Sequence, residues 1–309
     1  MTDCSLCLYV ELFVKYYIYA WLIGLGVWFL LILASKVGSD GNKFKYYAKF
    51  GMIYYATQAF ATLFAPISLL RPRNPANAGF ISAVASRAST LLPITWELRN
   101  ARILKEAKGA VVMANHQTSM DILGLEILWS IMGDVISIAK KEMLFILPFG
   151  PAAWLAGITF INRQNRPSAM KTLEACKRKM VEKGFKMYLY PEGTRYPERG
   201  MLPFKKGGFH TAIQAGVPII PVVFSHMYFI EAKKYIFKPG HVLMNVLEPI
   251  PTTGLTKDNL DELIKRTRDA MLAEYERLSA EMEANLVDPK WVRTSRPRFV
   301  VYDDDKKTN

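Results

Sequence analysis

A histidine and an aspartate five residues apart are the side chains in this sequence best suited to proton transfer. His116 and Asp121 lie between the apolar runs 110–113 and 122–129, an order that predicts a strand, a sharp turn and a helix. Asp121 can then accept a hydrogen bond from one ring nitrogen of His116 and leave the other free to accept a proton. No cysteine or second histidine lies nearby in the sequence, which argues against a metal site. A lone His–Asp pair is often purely structural, so the interpretation needs a second motif.

That second motif is Glu192-Gly193-Thr194-Arg195, which follows an apolar run at 187–189, with Lys205 soon after it. Loops at the strand ends of an α/β domain are where functional sites concentrate. A glycine beside threonine and arginine offers backbone amides, a hydroxyl and a forked cation to an anion. Between the two motifs, Arg163 ends another apolar run at 157–161. Taken alone, Arg163 or Lys205 is as often an ordinary surface cation.

Four sequence blocks in this order resemble the glycerolipid acyltransferases, and specifically the 1-acylglycerol-3-phosphate (lysophosphatidate) acyltransferase family. The blocks are N-H-x-x-x-x-D at 115–121, G-x-x-F-I-x-R at 157–163, P-E-G-T-R at 191–195 and V-P-I-I-P-V at 217–222. Gln117 and Arg195 are more similar to the lysophosphatidate branch than to the glycerol-3-phosphate branch. Tyr190 stands where the family more often has phenylalanine.

The resemblance implies an enzyme that transfers a fatty acyl group from acyl-CoA to the sn-2 hydroxyl of lysophosphatidate, giving phosphatidate. It implies that His116 is the general base, oriented by Asp121, and that no metal or cofactor is needed besides acyl-CoA as co-substrate. It also implies that a group of polar residues holds the phosphate-bearing acceptor. That group comprises Glu192, Gly193, Thr194 and Arg195, with Arg163 and Lys205 adding positive charge.

Other functions remain open at this point. The acceptor could be glycerol-3-phosphate or another lysophospholipid, and the chain could be a catalytically silent membrane scaffold protein. A hydrolase is disfavoured because the sequence has no G-x-S-x-G nucleophile motif.

Composition and charge point to a membrane and to anionic partners. Apolar residue types make up 51% of the chain, and the formal net charge is +13. Anionic lipid, a phosphorylated acceptor and coenzyme A fit this charge. Nucleic acid is not expected, since the sequence has no zinc-finger spacing, RNA-binding aromatic signature or basic recognition helix.

Two uncharged runs near the N-terminus predict membrane-associated helices. Residues 16–34 and 50–70 each approach the length needed to cross a bilayer, although Pro66 interrupts the second run. Lysines between the runs nearly balance the arginines after them, so a spanning pair and a shallow hairpin on one leaflet both fit. A third uncharged run, 143–161, contains several prolines and glycines and is expected to be an apolar wall beside the membrane or ordinary core.

The predicted fold class is α/β, with a mixed, mostly parallel sheet flanked by helices and preceded by an N-terminal hydrophobic two-helix membrane segment. Residues 1–70 are the predicted anchor, 71–287 the catalytic domain with a long C-terminal helix, and 288–309 a loose tail. Predicted strands are 110–114, 135–139, 157–161, 186–190, 217–224 and 241–247, and predicted helices include 119–132, 168–183 and 257–286.

The last residues of the sequence contain a possible localisation signal. Lys306 and Lys307 near the end resemble a dilysine retrieval signal, which implies an endoplasmic-reticulum membrane protein with its tail and active site facing the cytosol. Cys4 and Cys7 have redox-motif spacing but are expected to be reduced thiols beside the membrane helix. The sequence does not indicate an oligomeric state.

Overall fold

Strands that alternate with helices make up most of the structure, a computed structural model that describes residues 5–88, 94–146, 149–162, 164–286 and 299–302. The helices of this part of the chain are α1 Ser5–Ala34, α2 Lys43–Leu63, α3 Ala65–Leu70, α4 Pro75–Ala88, α5 Ala101–Glu106, α6 Asp121–Met132, α7 Phe149–Leu155, α8 Arg166–Lys183, α9 Lys206–Ala215 and α10 Leu260–Leu286. The strands are β1 Ile94–Arg99, β2 Ala110–Ala114, β3 Val135–Lys140, β4 Thr159–Ile161, β5 Lys186–Leu189, β6 Ile219–Phe224, β7 Ile230–Glu231, β8 Ile236–Phe237, β9 Gly240–Val246 and β10 Phe299–Tyr302.

Eight of these strands form one sheet in the order β10-β1-β9-β6-β2-β5-β3-β4. All neighbouring pairs in it are parallel except β6 and β9, which run antiparallel. The predicted mixed, mostly parallel sheet is therefore confirmed. Every residue of β2 and β6 is buried, as expected for central strands covered by helices on both faces.

The long C-terminal helix α10 packs on the sheet through its apolar stripe. It lies against β6, β9 and α9. The predicted stripe is confirmed, because its members are all buried: Leu260, Leu263, Met271, Tyr275 and Leu278. A one-turn 3-10 helix at Lys257–Asn259 precedes α10, and the Thr256 side chain caps it by accepting a hydrogen bond from the backbone N–H of Asp258. The charged face of α10 is left for contacts with solvent and loops.

The chain divides into two compact units, residues 1–59 with 230–238, and residues 60–229 with 239–309. In the first unit, the short β7–β8 hairpin packs on the start of α2. The rings of Tyr46 and Tyr235 meet edge to face with centroids 5.8 Å apart, and those of Phe50 and Phe237 are 5.1 Å apart. The sequence patterns did not predict this hairpin, because its strands are two residues each.

Of the two predicted membrane segments, one has the form expected. Within α1, residues 15–34 are long and apolar enough to cross a membrane, and only 6% of that window is buried. The second run, 50–70, was predicted to be interrupted at Pro66, and in the structure it is divided between two helices. Helix α2 starts earlier than the run, at Lys43, and ends at Leu63, and Pro66 lies in the first turn of the separate helix α3.

Candidate active site

The candidate site lies where the carboxyl ends of three adjacent strands meet. Strands β6, β2 and β5 are neighbours in the sheet, and β2 runs parallel to both of the others. The loops that follow them therefore emerge at the same edge, which is where open α/β sheets place their sites. The His116 and Glu192 motifs, predicted separately from the sequence, leave β2 and β5 at this edge.

Two side chains that flank the histidine fix the loop after β2 to the end of β6. The fully buried Asn115 amide donates to the Phe224 carbonyl at 3.0 Å and accepts from the Phe224 N–H at 2.8 Å. Gln117 donates to the Ser225 carbonyl at 2.9 Å and accepts from the Met227 N–H at 3.1 Å. Both side chains turn inward, whereas His116 between them keeps contact with solvent.

The predicted pair of His116 and Asp121 is in direct contact. Nδ1 of His116 lies 2.6 Å from Oδ2 of Asp121, the first residue of α6. The same oxygen accepts the backbone N–H groups of Gln117 at 2.7 Å and Thr118 at 3.0 Å. The Asp121 side chain is fully buried, whereas 20% of the His116 side chain is exposed. The contact occupies Nδ1, which leaves Nε2 of the ring to take a proton.

The buried carboxyl group of Asp121 is under opposing influences. Burial raises the pKa of Asp121 above its usual value, while hydrogen bonds from His116, Gln117 and Thr118 pull that pKa down. The other carboxyl oxygen, Oδ1, is buried without a hydrogen-bond partner among the described residues. All of the polar contact is thus concentrated on the oxygen that faces the imidazole, a geometry suited to stabilising an imidazolium ion.

The imidazole is also held against an aromatic ring. Tyr190, the residue after β5, stacks on His116 with ring centroids 3.9 Å apart and the planes 12° from parallel. Its hydroxyl makes a long contact of 3.4 Å with the backbone carbonyl of Asp121. The sequence interpretation treated Tyr190 only as a replacement for phenylalanine, and the stacking contact gives that position a role in fixing the ring.

Glu192 lies behind the histidine and joins two loops. Only 2% of Glu192 is exposed. Its Oε1 accepts the backbone N–H of His116 at 2.7 Å, and its Oε2 accepts the backbone N–H of Leu202 at 2.9 Å. Burial raises the pKa of Glu192, and these two donors oppose that effect. Both oxygens are therefore engaged with backbone, so the geometry gives this predicted substrate-binding residue a positioning role.

Three further residues of the predicted acceptor site, Thr194, Arg195 and Lys205, follow β5 and are exposed. Arg195 donates through Nη1 to the Ser119 hydroxyl, which brings this cation to the turn that carries the histidine. Gly193 has a φ of +73°, which favours glycine, and a Cβ there would come within 3.3 Å of Lys205 Cγ. Arg163 lies outside the described residues, so its placement stays a prediction.

Comparison with known proteins assigns the family. Residues 95–225 match the acyltransferase family. The chain is 36% identical to human 1-acyl-sn-glycerol-3-phosphate acyltransferase beta over 83% of its length and 91% of that protein. It is 34% identical to the 1-acyl-sn-glycerol-3-phosphate acyltransferase of Haemophilus influenzae over 70% of its length and 88% of the relative.

A solved structure has the same fold. The crystal structure of the 1-acyl-sn-glycerophosphate (LPA) acyltransferase PlsC from Thermotoga maritima aligns with a TM-score of 0.59 and 23% identity, covering 77% of this chain and 99% of that one. The family match and the shared fold together place this chain in the acyltransferase class. More narrowly, the chain belongs to the 1-acyl-sn-glycerol-3-phosphate acyltransferase family.

Proposed function

We propose that this protein transfers a fatty acyl group from acyl-CoA to the sn-2 hydroxyl of 1-acylglycerol-3-phosphate, giving phosphatidate and free CoA. The observation that carries the proposal is the 2.6 Å contact between His116 Nδ1 and Asp121 Oδ2, in a chain of this family. Lysophosphatidate is the acceptor that the names of the relatives indicate. Acyl-CoA suits the strongly basic chain, whose formal net charge is +13.

In the proposed reaction, His116 acts as general base. Nε2 takes the proton of the sn-2 hydroxyl as its oxygen attacks the thioester carbonyl carbon, and the imidazolium that forms is stabilised by Asp121. The tetrahedral intermediate collapses by breaking the carbon–sulfur bond, and the proton passes from Nε2 to the leaving thiolate. This mechanism needs no acyl-enzyme, because the acceptor hydroxyl is held beside the base and itself attacks the thioester. The mechanism requires no metal or further cofactor.

The acceptor phosphate is proposed to bind the loop after β5. Arg195 and Lys205 supply positive charge there, Arg195 as a forked donor that matches phosphate oxygens. Gly193 and Thr194 contribute backbone amides and a hydroxyl. Glu192 is a carboxylate, which repels phosphate, so its part in the proposal is to hold this loop against His116. Arg163 completes the predicted set of cations.

A lipid acceptor also requires contact with a membrane. The exposed apolar part of α1 is the proposed anchor, within the predicted anchoring segment 1–70. The catalytic domain was predicted as 71–287, and strand β10 of its sheet extends it beyond that end. Phe145 is 71% exposed and Ile146 47% exposed, which suits the predicted apolar wall of 143–161 for contact with acyl chains. We propose location in the endoplasmic-reticulum membrane with the site and the tail in the cytosol. Lys306 and Lys307, on which this depends, lie outside the described residues.

The test is CoA release by washed membranes that contain the protein. Oleoyl-CoA is supplied with lysophosphatidate, glycerol-3-phosphate or lysophosphatidylcholine in turn, and phosphatidate is measured directly. We expect phosphatidate from lysophosphatidate, and a loss of about 10²-fold or more in His116→Ala. His210→Ala, at a histidine of α9 outside the site, is the matched control. Retained activity in His116→Ala contradicts the mechanism.

The acceptor panel separates the remaining alternatives. A preference for glycerol-3-phosphate or for lysophosphatidylcholine would replace lysophosphatidate as the acceptor and leave the proposed chemistry in place. No CoA release with any acceptor, from protein shown to be folded, would support a catalytically silent membrane scaffold.

A further inference from the structure

The segment that carries Arg195 is a closed loop with both ends fixed. At its base, the Leu202 N–H donates to Glu192 Oε2 at 2.9 Å, and the Lys205 N–H donates to the Pro191 carbonyl at 2.7 Å. We call residues 193–202 the 193–202 loop. The carboxylate that closes it is also the one that accepts the His116 N–H. A displacement of Leu202 is therefore transmitted through one side chain to the backbone of the histidine.

Helix α10 holds the far end of this loop. Met201 is only 5% exposed and belongs to the same core cluster as Met271 and Tyr275 of α10. Beside it, Arg268 of α10 donates from Nη2 to the Met201 carbonyl at 2.6 Å and from Nε to the Leu202 carbonyl at 3.3 Å. One guanidinium group thus binds the carbonyl groups of two successive residues, at the point where the loop returns to Glu192.

We propose that Arg268 is a positioning residue for acyl transfer, acting on the substrate site through the 193–202 loop. The contacts form a continuous path: Arg268 holds the Leu202 carbonyl, the Leu202 N–H binds Glu192, and Glu192 binds the His116 N–H. Arg195 lies in the same loop, so the path also sets the position of the cation assigned to the acceptor phosphate. The inference rests on the proposed function, since it assigns Arg268 to that reaction.

Guanidinium chemistry explains why arginine suits this position. Its donors lie in one plane at fixed spacing, so it can bind two adjacent carbonyl groups at once, whereas the ammonium group of lysine acts as a point charge. The contact is partly buried, which makes it stronger than an exposed ion pair. A second contact between the 193–202 loop and α10 differs in exposure. Arg199 of the loop pairs with Glu276 and Glu283 of the helix, but its side chain is 47% exposed. Exposed pairs of that kind contribute little to positioning.

The experiment compares Arg268→Gln and Arg268→Lys with Arg266→Gln, a control at an exposed arginine on the same helix. In Arg268→Gln we expect the KM for lysophosphatidate to rise about tenfold, because the variant loses a charge-assisted hydrogen bond to the 193–202 loop. The KM for acyl-CoA should change less than about twofold, because no described contact of Arg268 reaches beyond the loop. In Arg268→Lys, the rise in the KM for lysophosphatidate should be about half as large, on a logarithmic scale, as in Arg268→Gln. Arg266→Gln and Arg199→Gln should both stay within about twofold of wild type.

A purely structural role would give a different result. If the two KM values of Arg268→Gln match those of Arg266→Gln within about twofold, the inference is overturned, even if thermal stability falls. Equal rises in both KM values would also overturn it. If Arg268→Gln does not accumulate as folded protein, the decision passes to Arg268→Lys, where an unchanged KM for lysophosphatidate is the negative result.

Hydrogen–deuterium exchange supplies a measurement that does not depend on activity. In Arg268→Gln, the peptides covering the Leu202 and His116 amides should exchange about tenfold faster than in wild type, while the core strand β2 stays protected. Unchanged exchange at both amides would overturn the positioning path. If Arg268→Gln shows this faster exchange but the wild-type protein has no acyltransferase activity, the proposed function is contradicted and the positioning path is supported.

Discussion

The backbone N–H of His116 donates to the Glu192 carboxylate over 2.7 Å. This hydrogen bond joins the two loops that carry the site, one from β2 and the other from β5. It gives Glu192, a predicted substrate-binding residue, a direct contact with the backbone of the histidine. The contact therefore ties the position of the proposed base to the loop proposed to bind the acceptor.

Replacing Glu192 by glutamine should impair catalysis more than acceptor binding. A glutamine has one oxygen, so it can accept only one of the two backbone N–H groups and would present its own NH₂ to the other. We expect kcat to fall about 10- to 100-fold and the free energy of unfolding to fall by about 1–3 kcal/mol. Initial-rate kinetics and urea unfolding in detergent measure the two effects.

The control for this variant is Glu182→Gln, at an exposed carboxylate of α8. It should leave kcat and stability unchanged. If Glu192→Gln raises the KM for lysophosphatidate and leaves kcat and stability alone, Glu192 acts on the substrate directly and the positioning role is wrong.

Replacing Asp121 by asparagine separates orientation of the imidazole from stabilisation of its charge. The asparagine oxygen should remain at the Oδ2 position, because the Gln117 and Thr118 N–H groups both point to it. The ring can then keep its tautomer, but the imidazolium loses its counter-charge. We expect kcat to fall about 10²-fold or more with little change in either KM. A kcat near that of wild type would show that the negative charge is dispensable.

Changes at Tyr190 should show that its ring matters more than its hydroxyl. Tyr190→Phe keeps the stack on His116 and loses the hydroxyl with its 3.4 Å contact to the Asp121 carbonyl, so activity should stay within about threefold of wild type. Tyr190→Ala removes the stack, worth about 0.5–1.5 kcal/mol, and should lower kcat by about 2- to 10-fold. Equal losses in the two variants would assign the effect to the hydroxyl instead. Rates at saturating substrate decide between them.

The pattern of apolar runs predicted the central strands well, because buried parallel strands are nearly continuous in hydrophobic residues. The run 110–114 is strand β2 itself, whereas β4 starts at Thr159, two residues later than predicted. The later start has a local cause: Gly157, with a φ of +92°, turns the chain just before it. Strand β1 was missed because charged residues interrupt its sequence, Ile-Thr-Trp-Glu-Leu-Arg.

Within the candidate site, the sequence predicted only contacts between residues that are close together in the chain. The contact of His116 with Asp121 spans one turn, so spacing alone indicated it. The hydrogen bonds of Asn115 to Phe224 and of Arg268 to Met201 join residues far apart in the chain, and a single sequence carries no signal for such pairs. The polar residues on both sides of the histidine were a usable clue, because buried amides require partners.

A final prediction concerns Glu126 in α6, a buried carboxyl group outside the proposed site. It is 7% exposed, and burial raises its pKa from 4.5 to about 8. The folded protein thus holds this proton more tightly than the unfolded chain does. Unfolding releases the proton at intermediate pH, so the contribution of Glu126 to stability falls progressively between about pH 4.5 and pH 8 and levels off above.

Glu126→Gln removes the ionisation and keeps the shape of the side chain. The variant should match wild type in stability at about pH 4, where the Glu126 side chain is largely neutral in both the folded and the unfolded state, and exceed it by a few kcal/mol at about pH 9. Thermal unfolding in detergent at the two pH values is the measurement, with Glu182→Gln as the exposed control. A difference between Glu126→Gln and wild type that is the same at both pH values would mean that Glu126 does not titrate in this window.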